Sequence, residues 1–240
     1  MLKGILYLYV FLIFISCANK NAIIMRDYEG KTIKDASLLV ILTDLPTIEN
    51  GDDVVDDLGE GVPEDIYLDY FQTNIPAYIK DVATFKNVFI DTIFNRIELV
   101  GSQQTFRDKE KIKIKVPKNK HKTTYGSHEV DFILFLQELR IYRKEVQNGT
   151  WTAGTPSTPF SSGSAPTYSG GKFPELVHIG KFTLWDNRLS QIVSYGKLEV
   201  KKAFFFGMTK DTWSSGIHEI GLTIFKNSPF KTSKKRNKHK

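Results

Sequence analysis

From Lys111 to Val116 the chain alternates without exception, with Lys111, Lys113 and Lys115 on one side and Ile112, Ile114 and Val116 on the other. A period of two predicts a strand with one buried face and a ladder of ammonium groups on the other. Such a lysine row commonly guards an edge strand against unwanted pairing; contact with a partner or a membrane is the second reading. Residues 36–43 form a continuous apolar run, suited to a strand buried on both faces. Shorter strands are predicted over 87–93 and 96–100. In 130–143, Phe132, Leu134 and Leu136 fall on one face and Ile133 and Phe135 on the other, which favours a strand. A helix is the alternative there, because Leu136, Leu139 and Arg143 also share a helical face. Residues 177–186 and 191–203 read as a hairpin turning at Asn187-Arg188.

Two segments have helical character. Pro63 opens the first at the favoured N1 position, with Glu64 and Asp65 complementing the positive end of the dipole. Ile66, Tyr70, Ala77 and Val82 are its expected apolar stripe, and Pro76 is expected to kink or restart it. Residues 209–225 form the second, with Ile217, Ile220 and Ile224 on one face. Between the apolar runs lie a long acidic loop (44–61) and a Gly/Ser/Thr/Pro-rich insertion (147–172), expected to be flexible. The order β, α, several β, α implies an α+β fold: a mostly antiparallel sheet of five to seven strands with two helices on one face. The expected organisation is an N-terminal segment (1–16), a tether (17–34), one domain (35–228) and a disordered basic tail (229–240).

Charge is distributed unevenly. The net charge is +6, yet residues 35–79 hold eleven acids and no lysine or arginine, leaving the remainder at +17. Asp52, Asp53, Asp56 and Asp57 are the densest acids. Calcium is one use for such oxygen ligands, but the spacing is not Asp-x-Asp-x-Asp-Gly. Docking on a basic surface, or compensation of the lysine-rich strand, fits better. Residues 231–240 carry six basic residues, among them Lys234, Lys235 and Arg236. Behind an export signal, anionic headgroups or an acidic partner are the expected counterions, and no nucleic acid is expected.

The first residues supply that signal. Lys3 precedes an apolar stretch, residues 5–15, which ends at Ile15-Ser16-Cys17 and gives way to polar residues. As a helix it spans about 16 Å, roughly half a bilayer core. The segment resembles a bacterial lipoprotein signal peptide, in which the cysteine is acylated and becomes the mature N-terminus. Phe14 and Ile15 depart from the usual Leu-Ala before it. The resemblance implies lipidation at Cys17 and export to the envelope, with the outer membrane facing the periplasm as the expected site. Cys17 is the only cysteine, so the body has no disulfide and no thiol nucleophile.

The element order, Val130-Asp131-Phe132-Ile133-Leu134 and the pair Phe182-Thr-Leu-Trp-Asp186 with Val193-Ser-Tyr-Gly-Lys-Leu-Glu199 resemble a group of bacterial envelope lipoproteins. The group includes relatives of the curli-secretion lipoprotein and of the amino-terminal domain of the Tol-system periplasmic protein. The likeness covers residues 130–206 and the closing helix; the acidic loop and the 147–172 insertion depart from it. It implies a non-catalytic assembly, scaffolding or partner-binding role, including self-association, and carries over no catalytic residue and no cofactor. An oligomeric secretion or pore component is the alternative, and a secreted hydrolase the next. The five histidines show no His-Glu-x-x-His spacing, and no Gly-x-Ser-x-Gly elbow is present. A convergent His128, Asp131 and His178 is the arrangement that would favour the hydrolase.

Overall fold

A computed structural model describes residues 21–49, 55, 57–91, 97–118, 122–152, 167–204 and 208–232, with the backbone alone for 147–152 and 167–173. Along it run β1 (Ala22–Ile24), β2 (Ala36–Leu42), β3 (Thr47–Glu49), α1 (Pro63–Val82), β4 (Phe85–Asp91), β5 (Leu99–Thr105), β6 (Lys111–Pro117), β7 (Thr124–Tyr125), β8 (His128–Glu129), β9 (Phe132–Thr152), β10 (Thr167–Asp186), β11 (Gln191–Ala203) and α2 (Lys210–Phe225). The fold is α+β. Its main sheet has seven strands in the order β1-β11-β10-β9-β2-β4, with β3 also on β9.

The long β9–β10–β11 ladders and the β1 edge are antiparallel. On the other side of β9 the pairing is parallel, to β2 and then to β3 further along the same edge. The parallel part follows from connectivity. β2 reaches its parallel neighbour β4 through α1, and a parallel pair requires such a crossover. The sheet is therefore mixed, with its longest ladders antiparallel.

Both faces of the sheet are covered. On one, α1 and α2 pack over Leu38, Val40, Phe132, Leu134, Leu176 and Leu184. The stripe of α1 that does this is Tyr67, Phe71, Ile75, Ile79 and Val82, displaced by one position from the expected Ile66 and Tyr70, which are only partly buried. α1 does not restart at Pro76 but runs unbroken to Val82. On the opposite face lie Leu39, Ile41, Ile133 and Phe135. The β5–β6 hairpin covers the β11 side of that face through Ile112 and Ile114, which meet Tyr195.

Three expected boundaries move. The tether does not extend to residue 34, because Ala22–Ile24 is an edge strand on β11 and Tyr28 is buried. The insertion is not a loop throughout 147–172: the register of β9 with β10 continues to Thr152↔Thr167, and only 153–166 of the segment lie outside the described residues. Nor does the domain stop at 228. Phe230 is fully buried, with its ring 4.4 Å from Phe85 and 4.7 Å from Phe132, and Thr84 N donates to its carbonyl. Beyond Thr232, the basic tail lies outside the described residues.

A chain truncated after Ser228 should therefore lose about 3–5 kcal/mol, the usual cost of removing a buried phenylalanine. One truncated after Thr232 should unfold at the same urea concentration as the full chain. Equal midpoints for both truncations would contradict this placement of Phe230.

Candidate functional site

The lysine row is partly a fastening. Lys111 and Lys113 are exposed on the outer face of β6, and the Lys113 stem crosses Gly101 of β5. Lys115 differs, because its Nζ lies 2.7 Å from both Asp44 carboxylate oxygens. Its backbone N–H donates to Gln137 Oε1 at 2.7 Å, and Gln137 Nε2 donates to Thr183 Oγ1 at 2.9 Å within the core. Burial alone would raise the Asp44 carboxyl, but hydrogen bonds from Lys115 and Thr43 outweigh it and hold the group below the ordinary carboxylate range. Glu49 similarly pairs with Arg140. Two acids of the lysine-free stretch thus meet basic residues from elsewhere in the chain. Asp57 is exposed ahead of α1. Cys17, Asp52, Asp53, Asp56, Lys234, Lys235 and Arg236 lie outside the described residues.

Sequence reasoning missed a buried polar group between the helices and the sheet. Tyr67 of α1, His178 of β10 and Trp213 of α2 form a triangle with ring centroids 5.5–5.9 Å apart. All three are 0% exposed, and Tyr67 Oη, both His178 ring nitrogens and Trp213 Nε1 have no hydrogen-bond partner among the described residues. Gly216 makes room for the imidazole: a Cβ there would lie 3.0 Å from His178 Cε1. Burial pushes the His178 pKa down to about 3 and raises that of Tyr67. The imidazole is therefore neutral at ordinary pH and has no access to a substrate. A usable sequence signal existed: a histidine within Leu176-Val-His-Ile179, matched by a glycine in the helix that covers it.

A second polar network lies at the β10–β11 turn. Asp186 is 1% exposed; its Oδ2 accepts from Tyr28 Oη at 2.8 Å and its Oδ1 from the N–H groups of Arg188 and Leu189 at 2.9 Å. Gln191 Nε2 donates to Tyr28 Oη, whose pKa burial pushes up to about 12. Asp131 accepts from Ser37 N and Oγ at 2.8 and 2.9 Å, which joins β2 to the start of β9. These bonds close strand ends. His128 stacks on Phe89 on the far face of the sheet, whereas His178 lies beneath the helices. His128, Asp131 and His178 therefore do not converge. Among the described residues no cluster of three metal-ligating side chains occurs, and no helix is long and apolar enough to cross a membrane.

No family model matches the chain, and no curated protein matches it. Several solved structures are distantly similar, two of which serve as examples. A neuraminyllactose-binding hemagglutinin homologue from Helicobacter pylori aligns over 81% of this chain and 82% of its own, with a TM-score of 0.34 and 8% identity. A PelC dodecamer from Paraburkholderia phytofirmans aligns over 84% and 94%, with a TM-score of 0.35 and 9% identity. At these values neither likeness bears on what this chain does.

The buried imidazole has a measurable consequence. Its folded pKa of about 3 lies below the ordinary value of 6.5, so as pH falls the unfolded chain takes up the proton first. This contribution to stability is fully present above pH 6.5 and is lost as pH falls toward 3, at up to about 1.4 kcal/mol per unit. His178→Leu removes the contribution. Urea unfolding between pH 7 and 4 should show a shallower loss of stability in the variant than in the parent chain. Parallel curves would exclude His178 as the cause.

Proposed function

We propose that this protein is an envelope lipoprotein, acylated at Cys17, whose α+β body serves assembly or binds a protein partner. The observation that carries the reading is the spacing between the cysteine and the sheet. An apolar run of secretory length ends at Cys17, and only residues 18–20 separate it from Asn21, where the described fold begins. Four residue steps place the Cys17 Cα at most about 14 Å from that of Asn21. β1 is pressed hard against β11, since a Cβ at Gly196 would meet the Asn21 carbonyl oxygen at 2.0 Å. An acyl-bearing Cys17 would hold the body close to the bilayer along its β1 edge. One acyl chain binds a membrane only marginally, so the reading requires the several chains typical of bacterial lipoproteins.

The oligomeric alternative draws on a different feature. From Val146↔Phe173 to Thr152↔Thr167, β9 and β10 pair only with each other among the described residues, an arm of seven residue pairs. At ~3.4 Å per residue it is about 24 Å long. Isolated two-stranded ribbons are marginal in water, and this one leaves both outer edges open to a further strand. A second copy or another envelope protein would satisfy those edges.

Metabolic labelling with a radioactive fatty acid should mark the parent chain and leave Cys17→Ala unlabelled, and only the parent should enter the detergent phase. Equal partitioning with no label in either would refute the anchor. Sedimentation of the chain from Ala18 onward separates the two roles, since a monomer at all concentrations would exclude self-assembly through the arm.

A further inference from the structure

At the end of the sheet where β2 and β4 begin, the loops spanning 28–32 and 227–232 enclose an open cavity of about 520 Å³. Lys31 and Lys231 line it, together with Thr32, Asn227 and Ser228, and no carboxylate does. Neither ammonium group has an ion-pair partner among the described residues; that of Lys31 lies 5.4 Å from the centre of the Tyr28 ring. Of the four lysines in segments 28–34 and 226–232, Lys31 and Lys231 line the cavity; Lys34, Lys226 and the one acid there, Glu29, do not.

The walls are built in advance of any ligand. Ile33 N donates to Pro229 O at 2.8 Å, joining the two loops, and Phe230 anchors the second in the core. Ser228 is buried and caps the end of α2 by donating through Oγ and N to Phe225 O at 3.0 Å. The C-terminal end of a helix would normally repel an anion. Here Ser228 caps the Phe225 carbonyl through both N and Oγ, and the two lysines oppose the negative end that remains.

We infer that this cavity is a phosphate-ester site, with Lys31 and Lys231 as the charged ligands and the hydroxyl and amide of Thr32 and Asn227 as neutral donors. The ester is the headgroup of an anionic membrane lipid, the source that the envelope reading supplies. The cavity itself does not depend on acylation at Cys17. Directly after Thr232 the sequence adds Lys234, Lys235, Arg236, Lys238 and Lys240, which would raise the local concentration of anionic lipid around the cavity.

The test uses the chain from Ala18 onward, which has no acyl chain and keeps every described residue. It is floated with vesicles of phosphatidylcholine alone or mixed with phosphatidylglycerol, and titrated with glycerol 3-phosphate by calorimetry. Binding to the mixed vesicles is expected. The pair Lys31→Glu with Lys231→Glu should weaken it at least about tenfold, since each surface lysine adds to attraction by an anionic bilayer. The pair Lys111→Glu with Lys113→Glu should change it less. Saturable binding of glycerol 3-phosphate that is lost in the first pair supports the site and gives a soluble ester as a second source; its absence, with vesicle binding still sensitive to that pair, supports a lipid headgroup alone. Failure to bind either probe overturns the inference. So does an equal effect of the two charge reversals, or loss of binding on removing 233–240 with none from Lys31→Glu and Lys231→Glu. A failure of acyl labelling at Cys17 touches none of these results.

Discussion

Strand β9 presents large apolar side chains to both sides of the sheet: Phe132, Leu134 and Leu136 to one, Ile133 and Phe135 to the other, all at most 1% exposed. A sheet covered only by helices would leave the second set in water, at about 2 kcal/mol for each such side chain. The architecture follows from that constraint. α1 and α2 cover the first face, while the far face is closed by its own sheet residues, by aromatic contacts from β7 and β8, and by the β5–β6 hairpin on the β11 side. Neighbouring β2, buried along its whole length, meets the same requirement from the parallel side.

The constraint holds only if the faces of β9 stay in phase with their covers, and a single residue resets that phase. Glu138 adopts a φ of 51°, and the register with β10 shifts between Ile179 and Lys181. Before the bulge Leu134 and Leu136 face the helices; after it Leu139 and Ile141 do. Gln137, turned into the core at this point, would cost free energy if left unpaired. Its bonds to Lys115 N and Thr183 satisfy it and tie the outer hairpin to the sheet. Burial is less well compensated at the Tyr67–His178–Trp213 triangle, where aromatic area is gained while four polar atoms find no partner among the described residues. Such orphaned groups are rare in native cores.

Much of this was legible in residue patterns and some was not. The apolar run of β2, the Lys/Ile alternation of β6, the turn from β10 into β11 and the limits of α2 follow local rules, and each occurs nearly where those rules put it. The α1 stripe contains Val82 as expected, but its first two turns lie one position on, because Ile66 and Tyr70 are as apolar as Tyr67 and Phe71 and only the sheet beneath decides between the two faces. Ala22–Ile24 and Thr47–Glu49 are three residues long, too short for periodicity to register, and each exists because a longer strand offers a free edge. The strand character of 147–152 and 167–172 was hidden by composition, since glycine and serine favour loops unless a register already running through the core carries them outward. Of the candidate contact residues, the alternation marked Lys111, Lys113 and Lys115 as one face. It held no information that Asp44, 71 residues away, would draw Lys115 out of the row. The cavity between 28–32 and 227–232 was illegible for the same reason, because it joins the two ends of the described chain.

That juxtaposition bears on the proposed anchorage. β1 runs antiparallel to β11, from Ala22 opposite Gly196 to Ile24 opposite Ser194, and then descends to the 28–32 loop. Asn21 therefore sits about 17–20 Å above the start of β11 at Gln191, at ~3.4 Å per residue. On the proposed reading Cys17 lies at most about 14 Å from Asn21, so an upright body with its lower end touching the bilayer would overstretch the link by a few Å. Tilting toward the β1 edge removes the shortfall. In that pose the open arm of β9 and β10, extending past the opposite end of the β11 pairing, projects away from the bilayer toward a partner.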